Sequence, residues 1–196
     1  MTRIILASQS EARKNIISAL NIPFEIMPAE IDEKAIRDNN LATRAEKIAI
    51  AKAEKISKET TNTIIISADT FCVHKNGEIL EKPETLEEAK VMLQLQSGSM
   101  DYVYTGFSYI DNQKGFRYSS STLTKIYLRS FSEEEIDIYI KNMPVLTWSG
   151  AFYPGLPYGT AMISKVEGSL SAFLYGLPTE MLIPQLKKSG IGISVK

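Results

Sequence analysis

Apolar, β-branched positions gather into short runs along this chain, and the sharpest is Ile64-Ile65-Ile66-Ser67-Ala68-Asp69-Thr70. A run of this kind that stops at a carboxylate predicts a buried strand with Asp69 at its C-terminal edge. In open α/β sheets that edge is where ligands sit. Arg3-Ile4-Ile5-Leu6-Ala7 predicts a first strand and Phe24 to Pro28 a second. Between them, Ser8 and Glu11 stand at capping-box spacing, which predicts a helix running to about Leu20, with Ile16, Ile17 and Leu20 toward a sheet. Residues 41–58 carry the clearest helical period. Leu41, Ala45, Ile48, Lys52 and Ile56 follow at spacings of four, three, four and four and so share one face. A lysine centred on that apolar arc must snorkel or find an anion, because an unpaired buried ammonium costs several kcal/mol. Lys47, Lys55 and Lys58 fall at its margin or beyond.

Further on, Phe71 to His74 and Glu78 to Leu80 flank Lys75-Asn76-Gly77, a strong hairpin signal. Thr85 and Glu88 open a helix expected to stop at Ser97-Gly98. Tyr102 to Ile110 and Phe116 to Leu128 predict two long antiparallel strands joined by Asp111 to Gly115. Ser132-Glu133-Glu134-Glu135 caps a short helix ending near Met143-Pro144, and the stretch from Trp148 to Gly159, rich in Gly, Pro and aromatics, predicts a structured loop. A strand at Ala161 to Val166, an apolar segment at Leu170 to Tyr175 and a last helix after Gly176-Leu177-Pro178, with Pro184 kinking it or near its edge, complete the chain.

Composition narrows the chemistry. With 196 residues, 44% of them hydrophobic, the chain suits one domain or two small lobes sharing a core. A net charge of -1 calls for neither a nucleic-acid backbone nor an anionic membrane as partner, so any charge that binds phosphate must be local. No apolar run approaches the ~20 residues a membrane span requires, and no signal-peptide pattern is present; a soluble cytoplasmic protein is expected. One cysteine, Cys72, and one histidine, His74, make no zinc cluster. Cys72 reads as a buried structural thiol and His74, beside the hairpin turn, as solvated.

Within these bounds Asp69 and Lys82, the latter held extended by Pro83, suggest a site for a metal-bound phosphate. The first strand feeds directly into a serine-capped helix, an anion site by virtue of its free N–H groups and dipole, and Arg13 on its first turns offers a guanidinium. Glu30-Ile31-Asp32-Glu33 reads as either a solvated acidic loop or a metal-ligating one, through Glu33 or Asp32 with a distant carboxylate. Neither a P-loop nor a dinucleotide fingerprint is present.

Taken together, the landmarks resemble the Maf family of nucleoside triphosphate pyrophosphatases. The family's serine-rich motif is matched by Ser8-Gln9-Ser10-Glu11-Ala12-Arg13, its acidic pair by Asp32-Glu33 and its Lys-Ala by Lys52-Ala53. Ala68-Asp69-Thr70, Lys82-Pro83, Ser97-Gly98, Thr105-Gly106, Glu167-Gly168 and Gly176-Leu177-Pro178 follow in the family's order over nearly the whole chain. The resemblance implies an α/β fold with an elongated, curved mixed β-sheet flanked by helices, in the manner of Maf and ITPase proteins, as one domain over 1–196 with two lobes around one cleft. It implies hydrolysis of a nucleoside triphosphate, standard or modified, to the monophosphate and pyrophosphate, with Asp69 as proton acceptor or metal-linked base. Arg13, Lys52 and Lys82 would then hold the triphosphate, Ser8 its phosphate end, Ser10 and Thr70 would also bind substrate, and Glu33 with Asp69 would hold a divalent cation. An oxygen-only ligand set suits Mg²⁺ or Mn²⁺. A small-molecule nucleotide is the implied partner, and family members are often homodimers. A second implied reading is a catalytically degenerate nucleotide-binding protein that regulates cell division.

Several positions depart from the family pattern. Glu11 replaces the motif proline, Ala12 its first arginine and Asp101 the histidine after Ser-Gly, and the loop after Gly150 offers neither Gln nor Glu. Of the positions that mark base choice in the pyrimidine-type branch, only Thr70 is retained.

Overall fold

The apolar runs become strands because their alternate residues find two different layers to bury against. In the computed structural model, which describes residues 2–193, the strands are β1 (Arg3–Leu6), β2 (Glu25–Ile26), β3 (Thr63–His74), β4 (Ile79–Leu80), β5 (Met100–Asp111), β6 (Phe116–Leu128) and β7 (Ile163–Glu167). The helices are α1 (Glu11–Ala19), α2 (Leu41–Glu59), α3 (Leu86–Gln96), α4 (Glu133–Asn142), α5 (Pro157–Ala161), α6 (Leu170–Tyr175) and α7 (Thr179–Lys188). The seven strands form a mixed sheet in the order β2-β1-β3-β5-β6-β7, with β4 on β3. β1 pairs parallel with β2 and β3, whereas β3 with β4 and β6 with β7 are antiparallel.

The chain divides into two compact units, and β3, β5 and β6 each contribute residues to both. The first takes the described residues up to Thr70, then Thr105–Thr122 and the segment from Tyr175 onward. Its β3 residues serve two cores. Ile64, Ile66 and Ala68 pack with Ile17 of α1, Phe107 and Tyr109 of β5 and Leu182 and Leu186 of α7. Ile65 packs instead with Ile5, Ile110 and with Ala53 and Ile56 of α2. A strand covered on both faces reads as a continuous apolar run, which is why no alternation is visible in Ile64-Ile65-Ile66. Gly106 lets α2 approach β5 closely, since a Cβ there would fall on the backbone of Ala45.

The second unit comprises Phe71–Tyr104 and Leu123–Leu174. Its core gathers Ala89 and Leu93 of α3, Ile136 and Tyr139 of α4, Val103, Ile126 and Phe152. The stretch expected as a loop from Trp148 holds a 3-10 turn at Ser149–Ala151 and runs into α5, and a further 3-10 turn, Val145–Thr147, precedes it. Leu170 to Tyr175 is helical, as α6.

Several expectations are corrected. The strand does not end at Asp69: β3 continues to His74, because Thr70, Phe71 and Val73 are also strong strand formers and pair with β4 at Cys72 and Val73. Ser8 is not the cap of α1. Ser10 occupies that position, its Oγ accepting the Arg13 N–H at 3.5 Å, while Ser8 Oγ accepts the N–H of Ser10. His74 is buried rather than solvated, because Asp101 on β5 meets its Nδ1 at 2.6 Å. Cys72 is half-buried, and burial pushes its thiol well up, so it is a packing residue.

Candidate active site

Period two along β3 sends adjacent residues to different helices, and that property builds the site. Asp69 follows Ser67 on the side of α2, where the Ser67 hydroxyl donates to the Ala49 carbonyl at 2.6 Å. On the same helix, one turn further, the Lys52 ammonium donates to Asp69 Oδ1 at 2.8 Å. A second carboxylate reaches the same nitrogen: Glu33 Oε1 also stands 2.8 Å from Lys52 Nζ. Lys52 and Asp69 are both 8% exposed, so the lysine centred on the apolar arc has found its anions within the protein. Glu33 opens a single 3-10 turn, Glu33–Ala35, capped by Asp32, whose Oδ1 accepts the Ala35 N–H at 3.2 Å. Of the acidic pair, Glu33 therefore faces the ammonium and Asp32 shapes the turn. Glu33 remains about half exposed, so this end of the triad is open to solvent.

Thr70, the next residue, meets α1 instead. Arg13 extends from the first turn of that helix and places its guanidinium among three acceptors: Nε donates to the Gly176 carbonyl at 2.9 Å, Nη1 to Ser8 Oγ at 3.0 Å and Nη2 to Thr70 Oγ1 at 3.2 Å. Burial pushes the Arg13 guanidinium down from its usual range, and the negative charges of Asp69 and Glu33 oppose that shift. A guanidinium is not deprotonated in proteins, so Arg13 is a cation here. Thr70 Oγ1 also lies 3.1 Å from Thr105 Oγ1 on β5. Gly176, at φ +63°, sits against this cluster; a Cβ there would approach Thr70 Oγ1 to 3.1 Å and Arg13 Nη2 to 3.2 Å.

Of the residues singled out from sequence, the structure thus brings Lys52, Asp69 and Glu33 together as one group and Ser8, Arg13 and Thr70 as another, with Ser10 serving as helix cap. Consecutive residues of β3, Asp69 and Thr70, belong one to each. Lys82 lies in the other unit, exposed between β4 and α3. Two members of the second group stand among the family landmarks but were not expected at the site. Thr105 and Gly176 make contacts 35 and 163 residues distant from their partners Thr70 and Arg13, and no local pattern announces such a bond.

The donor set suits a hard cation. Among the described residues no three His, Cys, Asp or Glu side chains gather for a metal, but Glu33 and Asp69 both reach the one ammonium. Two carboxylates completed by substrate phosphates and water are the usual protein share of a Mg²⁺ site. The second unit holds a further polar cluster: Asp101 accepts or shares a proton with His74 Nδ1, and His74 Nε2 lies 3.4 Å from Ser99 Oγ. Burial pushes the Asp101 carboxyl up while His74 draws it down. All three side chains are buried, which fits a bridge between β3 and the start of β5.

Comparison with known proteins gives a consistent picture. The model of the family described as "Maf-like protein" matches residues 3–189. A dTTP/UTP pyrophosphatase of Bacillus cereus (strain G9842) is 31% identical over 195 residues, covering 99% of each chain. A nucleoside triphosphate pyrophosphatase of Synechococcus sp. (strain JA-2-3B'a(2-13)) is 28% identical over 191 residues, or 97% of this chain and 96% of its own. Among solved structures, the Staphylococcus aureus Ham1 protein aligns over 95% of this chain and 99% of its own with a TM-score of 0.52 and 14% identity, a likeness of fold alone.

Proposed function

The chain belongs to the Maf-like protein family, and from that membership we propose that it hydrolyses a nucleoside triphosphate to the monophosphate and pyrophosphate. The observation that carries the reading is the Glu33–Lys52–Asp69 group, a cation held between two carboxylates beside a second, independent cation at Arg13. Attack of water on the α-phosphorus breaks the bond to the bridging oxygen and releases pyrophosphate, so negative charge grows on a leaving group that is already anionic. Fixed positive charge near that position stabilises it. Asp69 takes the proton from the attacking water. Lys52, donating to Asp69, orients that carboxylate, and its ammonium adds charge toward the phosphates. Glu33 and Asp69 would hold Mg²⁺ or Mn²⁺, which supplies charge neutralisation on the phosphate oxygens.

Pyrimidine nucleotides are the first to try, given the dTTP/UTP name of the Bacillus relative. A pyrophosphate-release assay across dTTP, UTP, the remaining common triphosphates and modified ones, with Mg²⁺ or Mn²⁺, tests the proposal. Release of one pyrophosphate per monophosphate from at least one nucleotide is expected. Nucleotide binding with no release from any of them contradicts it and favours a regulatory nucleotide-binding protein.

A further inference from the structure

The segment that carries Lys82 has no secondary structure of its own. It runs from β4 to α3, with Lys82 exposed and Pro83 buried. Among the described residues the Lys82 ammonium enters no ion pair. A cation on irregular backbone serves an anionic ligand only if something holds that backbone still. Pro83 does part of this by restricting Lys82 to an extended conformation. On the other side of Lys82, the Glu81 carbonyl accepts the Gly150 N–H at 2.9 Å.

Gly150 is itself held by a side chain from another element. Its carbonyl accepts from Gln96 Nε2 at 2.6 Å, and the same nitrogen donates to the Met92 carbonyl at 3.0 Å. Gln96 is the last residue of α3 and only 1% exposed, so both N–H groups of a buried amide are turned onto backbone carbonyls. Gly150 stands at φ +66°, where a Cβ would lie 3.3 Å from Leu80 Cβ and 3.4 Å from Gln96 Nε2. Ala151, fully buried, follows in the same left-handed region at φ +59°. A residue with a Cβ keeps that backbone only where its surroundings impose it, and such positions gather where placement matters to function. An apolar side chain would fill the Gln96 site without burying an amide; what glutamine adds is direction.

We propose that Gln96 is a positioning residue for Lys82, fixing through Gly150 the backbone of a lysine that holds the phosphates of the substrate. The relay is short: Gln96 Nε2 to the Gly150 carbonyl, the Gly150 N–H to the Glu81 carbonyl, and one peptide on to Lys82. All of it lies within the second unit. This inference rests on the pyrophosphatase reading for the identity of the ligand, but the relay itself does not depend on hydrolysis.

The test measures binding of inorganic tripolyphosphate by calorimetry and the kcat and KM of nucleotide hydrolysis, with melting temperature recorded on the same samples. The proteins are the wild type, Gln96→Met, Lys82→Ala and the double variant. Methionine keeps the bulk and removes both donors; Gln96→Leu serves should methionine fail to fold. Lys82→Ala is expected to weaken tripolyphosphate binding about tenfold, the scale of one charge-assisted hydrogen bond. Gln96→Met is expected to weaken it about fivefold, the scale of one neutral hydrogen bond, with KM rising by a similar factor and kcat changing less. In the Lys82→Ala background the same change is expected to have no further effect on binding, because the lysine it aims is gone. A glutamine that only stabilises the fold gives a different pattern: fewer active molecules, hence a lower kcat at unchanged KM, and the same effect in both backgrounds. That pattern overturns the inference, as does wild-type tripolyphosphate affinity in either single variant. A wild type that binds tripolyphosphate with this dependence, yet releases no pyrophosphate from any nucleotide, supports the relay and defeats the hydrolytic reading. Hydrolysis without any dependence on Gln96 or Lys82 does the reverse.

Discussion

Lys52 concentrates the electrostatics of the candidate site in one atom. Its ammonium meets Asp69 and Glu33 at 2.8 Å each, with little solvent on the Asp69 side. Removing a member of a buried pair leaves its partner desolvated and uncompensated, which costs more than the pair itself contributes. Lys52→Met is therefore expected to destabilise the fold by about 3 kcal/mol in urea titration and to lose hydrolytic activity. Unchanged stability would mean that Asp69 finds solvent or another donor. Glu33 is different, because it is about half exposed. Glu33→Gln is expected to leave stability within about 1 kcal/mol while raising severalfold the Mg²⁺ concentration needed for half-maximal rate; an unchanged metal requirement would remove Glu33 from the cation. At this scale sequence was informative where a residue conflicted with its own surroundings. Lys52 stood out because an apolar helical face has no use for an ammonium. His74 carried no such conflict, and its partner Asp101, 27 residues away, decided its burial. Thr105 and Gly176 stood among the family landmarks, but their contacts were not legible for the same reason, since their partners come from other elements.

Elements place these side chains, and two of them can be tested directly. α2 reaches Asp69 because Gly106 admits its backbone against β5. Gly106→Ala puts a methyl onto the Ala45 backbone, where nothing flexible can yield, so a loss of about 3 kcal/mol or more is expected. Any folded fraction should show impaired turnover as α2 shifts Lys52 away from Asp69. Normal stability would show that the helix has room to spare. In the second unit, α4 begins with a full capping box: Ser132 Oγ accepts the Glu135 N–H and Glu135 accepts the Ser132 N–H. Hydrogen bonds from Arg129, with the Ser132 N–H next, hold the Glu135 carboxyl down at about 2. A depressed carboxylate stabilises the fold fully above its unfolded value of about 4.3, and the contribution is lost as pH falls through about 2. Glu135→Gln should therefore lower the melting temperature at pH 6 and narrow its difference from the wild type as pH falls toward 3. An equal deficit at both values would place the effect in packing. Capping signals of this kind are legible because cap and helix are neighbours in sequence, as at Ser132. The end of β3 was not, since an isolated Asp breaks the apolar pattern without breaking the strand, and the continuation depended on β4.

Over the molecule as a whole, family membership rests on a match across residues 3–189, while the Ham1 likeness speaks for the fold. The order of motifs along the chain was readable from sequence, although Lys52-Ala53, Ala68-Asp69-Thr70 and Thr105-Gly106 lie inside α2, β3 and β5. The grouping of those motifs was only partly readable. Asp69 and Thr70 are adjacent in sequence and belong to different groups, a division that follows from the alternation of a strand covered on both faces. The central claim is that Asp69, oriented by Lys52, takes the proton from the attacking water. The most direct measurement is the kcat for pyrophosphate release by Asp69→Asn beside the wild type, at saturating nucleotide and Mg²⁺, with circular dichroism and melting temperature recorded on the same samples. A loss of at least about a hundredfold in a folded variant is the expected result; a folded variant that keeps wild-type kcat would contradict the assignment.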